Sequence, residues 1–430
     1  MNQTASAVSR RTFVGGALGL AGASVLSGCG GNKASSSSDE VTFLNWEAVK
    51  GTPLEKAIRA WEKKSGTKVV VQPTPTADYD TKMRTLLAGG QPPDIMRIND
   101  DFVRGFSQRG ALLDLNKYIR KDKLDTSAYA KESFEFPRQP NGQHTAWVLG
   151  YQPRLIFYNV DAFKEANAEL PPTTWTMDGW KWDDFAERAK KLTVPGKRWG
   201  ALVYYDTGYE QTFTINHGSN TGIFNDDGTK FTLAGPTETE ALQWATDLTC
   251  KAKVQPPWSQ LQQDGIGNQL FVQGKVAMYF ATFGAVPYFR STIKDFTWDV
   301  TPPPGDVQQR TESSVIVFTI PKAAKNPDKA WELLKFLASE EGGRILIEGG
   351  QFTPINNAAA AQLGAGGKAP EHLSLFGEAA KHLTAPNQTK NTLGARDLYR
   401  PALDDAYNCE KSVQDVLNGV KPQVEKALQG

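Results

Sequence analysis

Residues 41–72, VTFLNWEAVKGTPLEKAIRAWEKKSGTKVVVQ, read as a strand, a helix and a second strand. Residues 41–45 are rich in β-branched and aromatic side chains, as a buried strand requires. Thr52-Pro53-Leu54-Glu55 then forms a capping box: Thr52 offers oxygen to free N–H groups, Pro53 fits the first helical position, and Gly66 stops the helix. Leu54, Ile58 and Trp61 recur at helical spacing and mark its inner face. Residues 68–72 repeat the strand pattern, 79–88 the helix and 94–98 the strand. This β-α-β-α-β order predicts a mainly parallel sheet with helices on both faces.

Further strands are expected at 154–159, 199–204, 276–280 and 314–320, with helices between them. Thr237 to Glu240 reads as a second capping box, Asn326-Pro327 opens a helix that turns Ala330, Leu334 and Leu337 inward, and Ser412 caps the last helix. Its apolar stripe is Val413, Val416, Leu417, Val420 and Val424, while Trp61, Trp244 and Trp331 lie on helical stripes as core residues. Pro302 to Pro304 should hold residues 301–305 as a stiff extended crossing. No repeat of about 20 to 50 residues is evident, which argues against a solenoid or propeller.

At the other end, Ser9-Arg10-Arg11-Thr12-Phe13-Val14 precedes an uncharged apolar run to Leu26, too short for the roughly 20 residues of a spanning helix. Its form resembles a twin-arginine export signal. Leu26-Ser27-Gly28-Cys29 resembles a lipobox, so Cys29 is expected to carry lipid and residues 29–40 to act as a Ser-rich tether. Removing residues 1–28 leaves 46 basic against 47 acidic side chains. That balance gives no electrostatic footprint for nucleic acid. The two remaining cysteines, Cys250 and Cys409, form an even set in an oxidising compartment, where a disulfide between them is expected.

The signatures of chemistry are missing. The 430 residues contain no G-x-S-x-G elbow, no phosphate loop, no H-E-x-x-H and no C-x-x-C, and none of the four histidines has another at i, i+4. Adjacent carboxylates such as Asp183-Asp184 and Asp404-Asp405 suit turns and caps; a glycosidase would need two of them about 5 to 10 Å apart across a cleft. Neither a catalytic centre, a metal nor a cofactor is expected.

A series of landmarks remains, each weak alone and specific in order: residues 79–95 (YDTKMRTLLAGGQPPDI), 110–115 (GALLDL), 156–159 (IFYN), 172–175 (PTTW), 271–278 (FVQGKVAM), 320–322 (IPK), 331–337 (WELLKFL) and 349–354 (GGQFTP). Together they resemble the extracellular solute-binding proteins of bacterial ABC importers, in the sugar-binding group related to maltose-binding protein. The resemblance implies a two-lobed α/β fold of the type II periplasmic-binding kind, each lobe a mainly parallel sheet with flanking helices, and a ligand cleft between the lobes. It places chain crossings near 149–153 and 300–305, a first lobe at 41–150 plus 305–348 and a second at 151–304 plus 349–430. It also implies a monomer that binds a carbohydrate, meets ABC permease subunits and stays at the outer face of the cell membrane through the lipid on Cys29. The alternatives are the same fold around a polyamine, a phosphodiester or an iron chelate, and a secreted lipid-anchored carbohydrate-active enzyme.

In open α/β sheets ligands sit beyond the carboxyl ends of strands. That rule selects Trp46, Glu47, Asn99 and Asp100 after the first and third strands, Tyr151, Gln152 and Arg154 on the crossing, Phe283 and Gly284 after the 276–280 strand, and Glu312 and Ser313 before the 314–320 strand. Tyr205, Tyr209 and Trp258 belong to loops of the second lobe, and Arg396 falls where the maltose-binding pattern turns a C-terminal helix toward the cleft. Sugars suit this mixture, because their C–H faces pack on aromatic rings and their hydroxyls need paired donors and acceptors.

Overall fold

The computed structural model describes residues 40–46, 48–350, 352–364, 367 and 369–429; Cys29 and Glu47 lie outside them. Among the described residues there are ten strands: β1 (Glu40–Asn45), β2 (Lys68–Pro73), β3 (Ile95–Ile98), β4 (Trp147–Asn159), β5 (Trp199–Leu202), β6 (Val276–Thr282), β7 (Trp298–Thr301), β8 (Thr311–Thr319), β9 (Thr353–Pro354) and β10 (Leu383–Thr384). The main path runs β2-β1-β3-β8-β4-β6-β5. It is parallel at both ends, in β1 with β2 and β3 and in β5 with β6. In the middle β8 runs antiparallel to β3 and β4, and β4 antiparallel to β6 and β7. The sheet is therefore mixed, with the expected parallel order kept in its outer parts.

Helix α1 (Pro53–Ser65) starts and stops as its signals require. Thr52 accepts from Glu55 N at 3.3 Å, the Glu55 carboxylate accepts from Gly51 N at 2.7 Å, and Gly66 ends the helix at φ 69°. Glu62 then accepts from Val69 N at 2.7 Å and sews the helix to β2. Asp94 joins three elements: it takes Thr42 N at 2.9 Å and Thr42 Oγ1 at 2.8 Å, and Asn326 N at 2.7 Å. Helix α2 (Thr76–Ala88) and helix α3 (Asp100–Gln108) flank β3 in the chain.

Alternation along the strands divides the core. Phe43, Ile95, Ile316 and Phe318 pack with Ile58, Trp61 and Trp331 on one face, whereas Leu44, Met96 and Val317 pack with Tyr79, Met83 and Phe106 on the other. A separate core gathers Leu155 to Tyr158, Val276 to Ala281 and Val300 with Tyr399, Leu417 and Val424 from the C-terminal helices. Cys250 and Cys409 are disulfide-bonded with Cα atoms 5.6 Å apart.

Three local expectations change. Residues 149–153 are not a link before a strand: β4 runs through them for 13 residues with an irregularity between Val148 and Gly150, because β8 supplies a continuous partner as far as Pro153 opposite Ser313. Glu312 and Ser313 lie inside β8 for the same reason, and β10 also pairs with Thr311 and Glu312. The helix near Thr237 begins at Pro236 after Gly235 and has no side-chain cap; Glu238 instead accepts from the Ser219 hydroxyl, and Pro236 takes the first-turn position.

Candidate ligand-binding cleft

Trp46 follows the last residue of β1 at the carboxyl edge of the sheet. It lines a cavity of about 240 Å³ with Arg97, Leu149, Gln152, Gly284 and Phe352, over Ile316 and Phe318. The Arg97 guanidinium lies 4.0 Å from the Trp46 ring centroid, a cation–π contact, and Tyr79 meets the indole in a T-shaped pair at 5.7 Å. Tyr79 donates to Arg97 O at 2.6 Å, and burial keeps that hydroxyl protonated far above its ordinary range. The indole is thus oriented from two sides. Its buried Nε1 has no hydrogen-bond partner among the described residues, which leaves a donor for a ligand oxygen. At Gly284 a Cβ would come within 3.1 Å of Gln152 Nε2, so the missing side chain leaves room for that amide.

A smaller cavity, about 50 Å³, is lined by Asp100, Asp101, Glu312, Ser313, Thr392 and Arg396, with residues 385–388 along its edge. Asn99 stands at the N-cap of α3, and its amide reaches Asp80 at 3.5 Å. Two acids in the first turn suit the positive end of the helix dipole. Asp100 accepts from Asp101 N at 3.0 Å, while Arg396 pairs with Asp101 at 2.6 Å. Burial first and the Asp101 charge second push the Asp100 carboxyl up to about 6, against the pull of Arg396.

Beneath them Arg154 is almost wholly buried. It donates to Asp206 at 3.1 Å, to Thr207 Oγ1 at 3.1 Å, to Ser314 Oγ at 3.2 Å and to Glu312. Asp206 also accepts from Thr282 N at 3.0 Å, so one guanidinium ties β4, β8, the end of β6 and the loop after β5. Burial pushes Glu312 up to about 7; Arg154 opposes this, and Asp100, Asp206 and Glu210 add to it. Glu210 itself is held by Arg400 at 3.0 Å. Of these charged groups Asp100, Asp101, Glu312 and Arg396 line the cavity, three carboxyl groups beside one guanidinium, which suits a ligand rich in hydroxyl donors.

The remaining sequence candidates divide by burial. Tyr151 belongs to the core under the sheet, Phe283 is fully buried and stacked on Phe376 at 4.3 Å, and Tyr209 is buried with its hydroxyl on Tyr407. These three pack beneath the cleft, because strand alternation and the C-terminal helices take their rings inward. Trp258 packs on Tyr407 at 4.6 Å. Tyr205 pins a loop, donating to Gln263 O at 3.0 Å and accepting from Ile266 N at 3.1 Å. Neither of the last two lines the two cavities above.

Reading the sequence missed Arg97, Asp101, Asp206, Glu210, Phe352 and Arg400. One of them had a signal: an arginine inside the otherwise apolar strand Ile95–Ile98. The others come together only through folding. Elsewhere, Asp299, Glu371 and His372 hold ligand-type atoms within 4.8 Å of one another. There Asp299 accepts from His372 N at 3.0 Å and contacts its Nδ1 at 2.5 Å, which fastens the segment to β7.

Residues 45–344 match the family model described as bacterial extracellular solute-binding protein. A putative binding protein of Brucella abortus is 25% identical over 360 residues, covering 79% of this chain and 81% of its own. The galactooligosaccharide-binding protein of Bacillus subtilis is 24% identical over 341 residues, 75% of each chain. Among solved structures, an ABC substrate-binding protein of Listeria monocytogenes in complex with cycloalternan superposes with a TM-score of 0.78 at 25% identity, over 91% of this chain and 99% of that one. The two-lobed architecture is shared with a solute-binding protein of Thermotoga lettingae bound with α-D-tagatose, with a TM-score of 0.74 at 20% identity over 91% and 100%.

Proposed function

The chain belongs to the bacterial extracellular solute-binding proteins, and from that footing we propose that it captures a sugar or oligosaccharide and delivers it to the permease of an ABC importer. In this reading residues 41–150 plus 305–348 form one lobe and 151–304 plus 349–430 the other, with Trp46, Asp100, Gln152, Gly284, Glu312, Ser313 and Arg396 at the ligand. The protein works as a monomer at the outer face of the membrane, held by lipid on Cys29, and turns over no substrate. Relatives named for binding galactooligosaccharide and erythritol or L-threitol support a polyhydroxylated ligand.

The observation that carries the proposal is that the chain just after β1 and just after β3 brings to the surface of the fold an oriented indole with a free N–H, lining one cavity, and an acid-rich polar cluster, lining another. Each lobe supplies part of the contacts, so ligand favours the closed arrangement and closure removes it from water.

A thermal-shift screen over a carbohydrate panel tests this directly. Ligand at about 100 times its dissociation constant adds about 2.7 kcal/mol of stability. A panel without any hit, together with a shift from a polyamine, a phosphodiester or an iron chelate, would replace the sugar by that ligand. Turnover of a labelled polysaccharide by the purified protein would overturn the binding role itself.

A further inference from the structure

The segment between β10 and the helix Thr392–Ala402 is fastened to one side of the cleft. Gln211 donates to Thr384 Oγ1 at 3.2 Å and Ala385 O at 3.3 Å, and Asn387 donates to Phe224 O at 2.9 Å. Gly228, at φ 63°, has no room for a Cβ against the Gln388 carbonyl. Ala395 and Tyr399 of the following helix belong to the same core as Phe224.

From that anchorage the segment reaches the opposite side. Arg104 of α3 donates to the Gln388 carbonyl, and Gln388 Nε2 donates to Phe136 O at 3.1 Å. Arg396 reaches Asp101 of α3 at 2.6 Å. Helix α3 is rooted elsewhere, through Val103 and Phe106 in the core shared with Met96 and Val317. Phe136 and residues 385–388 also form the wall common to the small Asp100 cavity and an outer cavity of about 600 Å³ lined by Arg104, Arg138 and Asp227.

We propose that residues 385–388 and the helix Thr392–Ala402 form a lip of the second lobe that latches the closed cleft, with Gln388 on Arg104 and Phe136 and Arg396 on Asp101. The proposal rests on the lobe division above. The partners sit in separate cores, so the lobes cannot part without breaking these contacts, whereas the anchors at Gln211, Asn387 and Gly228 stay within one lobe. Asp101 and Gln388 thus act through closure, as positioning residues that set how long a ligand is retained.

The test uses the full chain with no ligand added, and reads the closed-to-open ratio by small-angle scattering fitted to two states. Partly exposed contacts of this kind are each worth roughly twofold to fivefold in that ratio. Asp101→Asn and Arg396→Gln should each lower it by that factor, and the double variant no further, since both remove one pair. Gln388→Ala should lower it independently, so that its factor multiplies. Raising salt should open the wild type and leave Asp101→Asn unmoved. The latch is overturned if Asp101→Asn and Gln388→Ala leave the ratio unchanged, if Arg396→Gln still acts in the Asp101→Asn background, or if wild type is fully open and insensitive to all three. None of these readouts needs a sugar, so the carbohydrate reading stands or falls separately on the thermal-shift panel.

Discussion

The Arg154 guanidinium on β4 meets the Asp206 carboxylate, on the loop after β5, at 3.1 Å, and the same side chain neutralises Glu312 on β8. Removing it leaves two carboxylates with little solvent and no cation at the junction of the long strands. Arg154→Met should therefore cost about 3 to 5 kcal/mol, and adding Glu312→Gln in that background should recover part of the loss. Urea denaturation of the two variants beside wild type measures both steps.

Binding should depend on Trp46 and Asp100 without folding depending on them. Trp46→Ala removes a sugar-sized apolar face and a free donor, and Asp100→Asn removes a charged acceptor; each should weaken the ligand found by screening about tenfold, near 1.4 kcal/mol. Asp100 is raised to about 6, so at neutral pH its ionised form carries a folding penalty, and Asp100→Asn should be as stable as wild type or more so. Calorimetric titration beside thermal melts separates the two effects, and normal affinity in both variants would remove these residues from the site.

Gly200 in β5 has the backbone of Ala189 directly over it, where a Cβ would collide with the Ala189 carbonyl. Gly200→Ala must push the helix Trp182–Leu192 off the sheet and should destabilise by about 1 to 3 kcal/mol. Ligand affinity measured well below the melting temperature should be unchanged, because the displaced helix is outside the candidate cleft.

His144 is buried between Phe134 and Trp147, and burial lowers its pKa from 6.5 to about 4, helped by Arg138. The fold binds it neutral, so the stability it contributes is complete above pH 6.5 and is lost as pH falls toward 4. At about 1.4 kcal/mol per unit the full loss is roughly 3 to 4 kcal/mol. His144→Phe cannot take up that proton, and the stability difference between variant and wild type should shift in favour of the variant across this range; parallel melts at pH 7 and pH 4 give the sign.

The disulfide joins residues separated by 159 positions. Closing so long a loop lowers the entropy of the unfolded chain, for which the polymer model gives about 5 kcal/mol as an upper figure. The double variant Cys250→Ala, Cys409→Ala should unfold at lower urea than the oxidised protein, and reductant should bring wild type to the same midpoint.

Much of the local structure was legible because its causes are local. Thr52, Pro53, Gly66 and Ser412 act within one or two turns, and the Val413 to Val424 stripe needs only helical period to declare its buried face. The capping box at Thr237 failed where a stronger neighbour, Pro236, started the helix two residues earlier, with Gly235 in the capping position. Of the residues that line the two cavities, Trp46 and Asp100 were readable from strand ends alone, whereas an aromatic after a strand can turn either way, and Phe283 turned into the core.

The sequence by itself determined the order of strands and helices, the membership of a family of binding proteins and most of the core, because periodicity, caps and landmark order are all written along the chain. Only the tertiary structure decided that β4 and β8 run unbroken beneath the cleft, that Arg154 finds Asp206, and that Arg396 finds Asp101. Those pairings span 52 residues in one case and nearly 300 in the other; the first is strengthened by exclusion of water at a place that exists only once the sheet has packed, and the second joins segments that only the folded chain brings together.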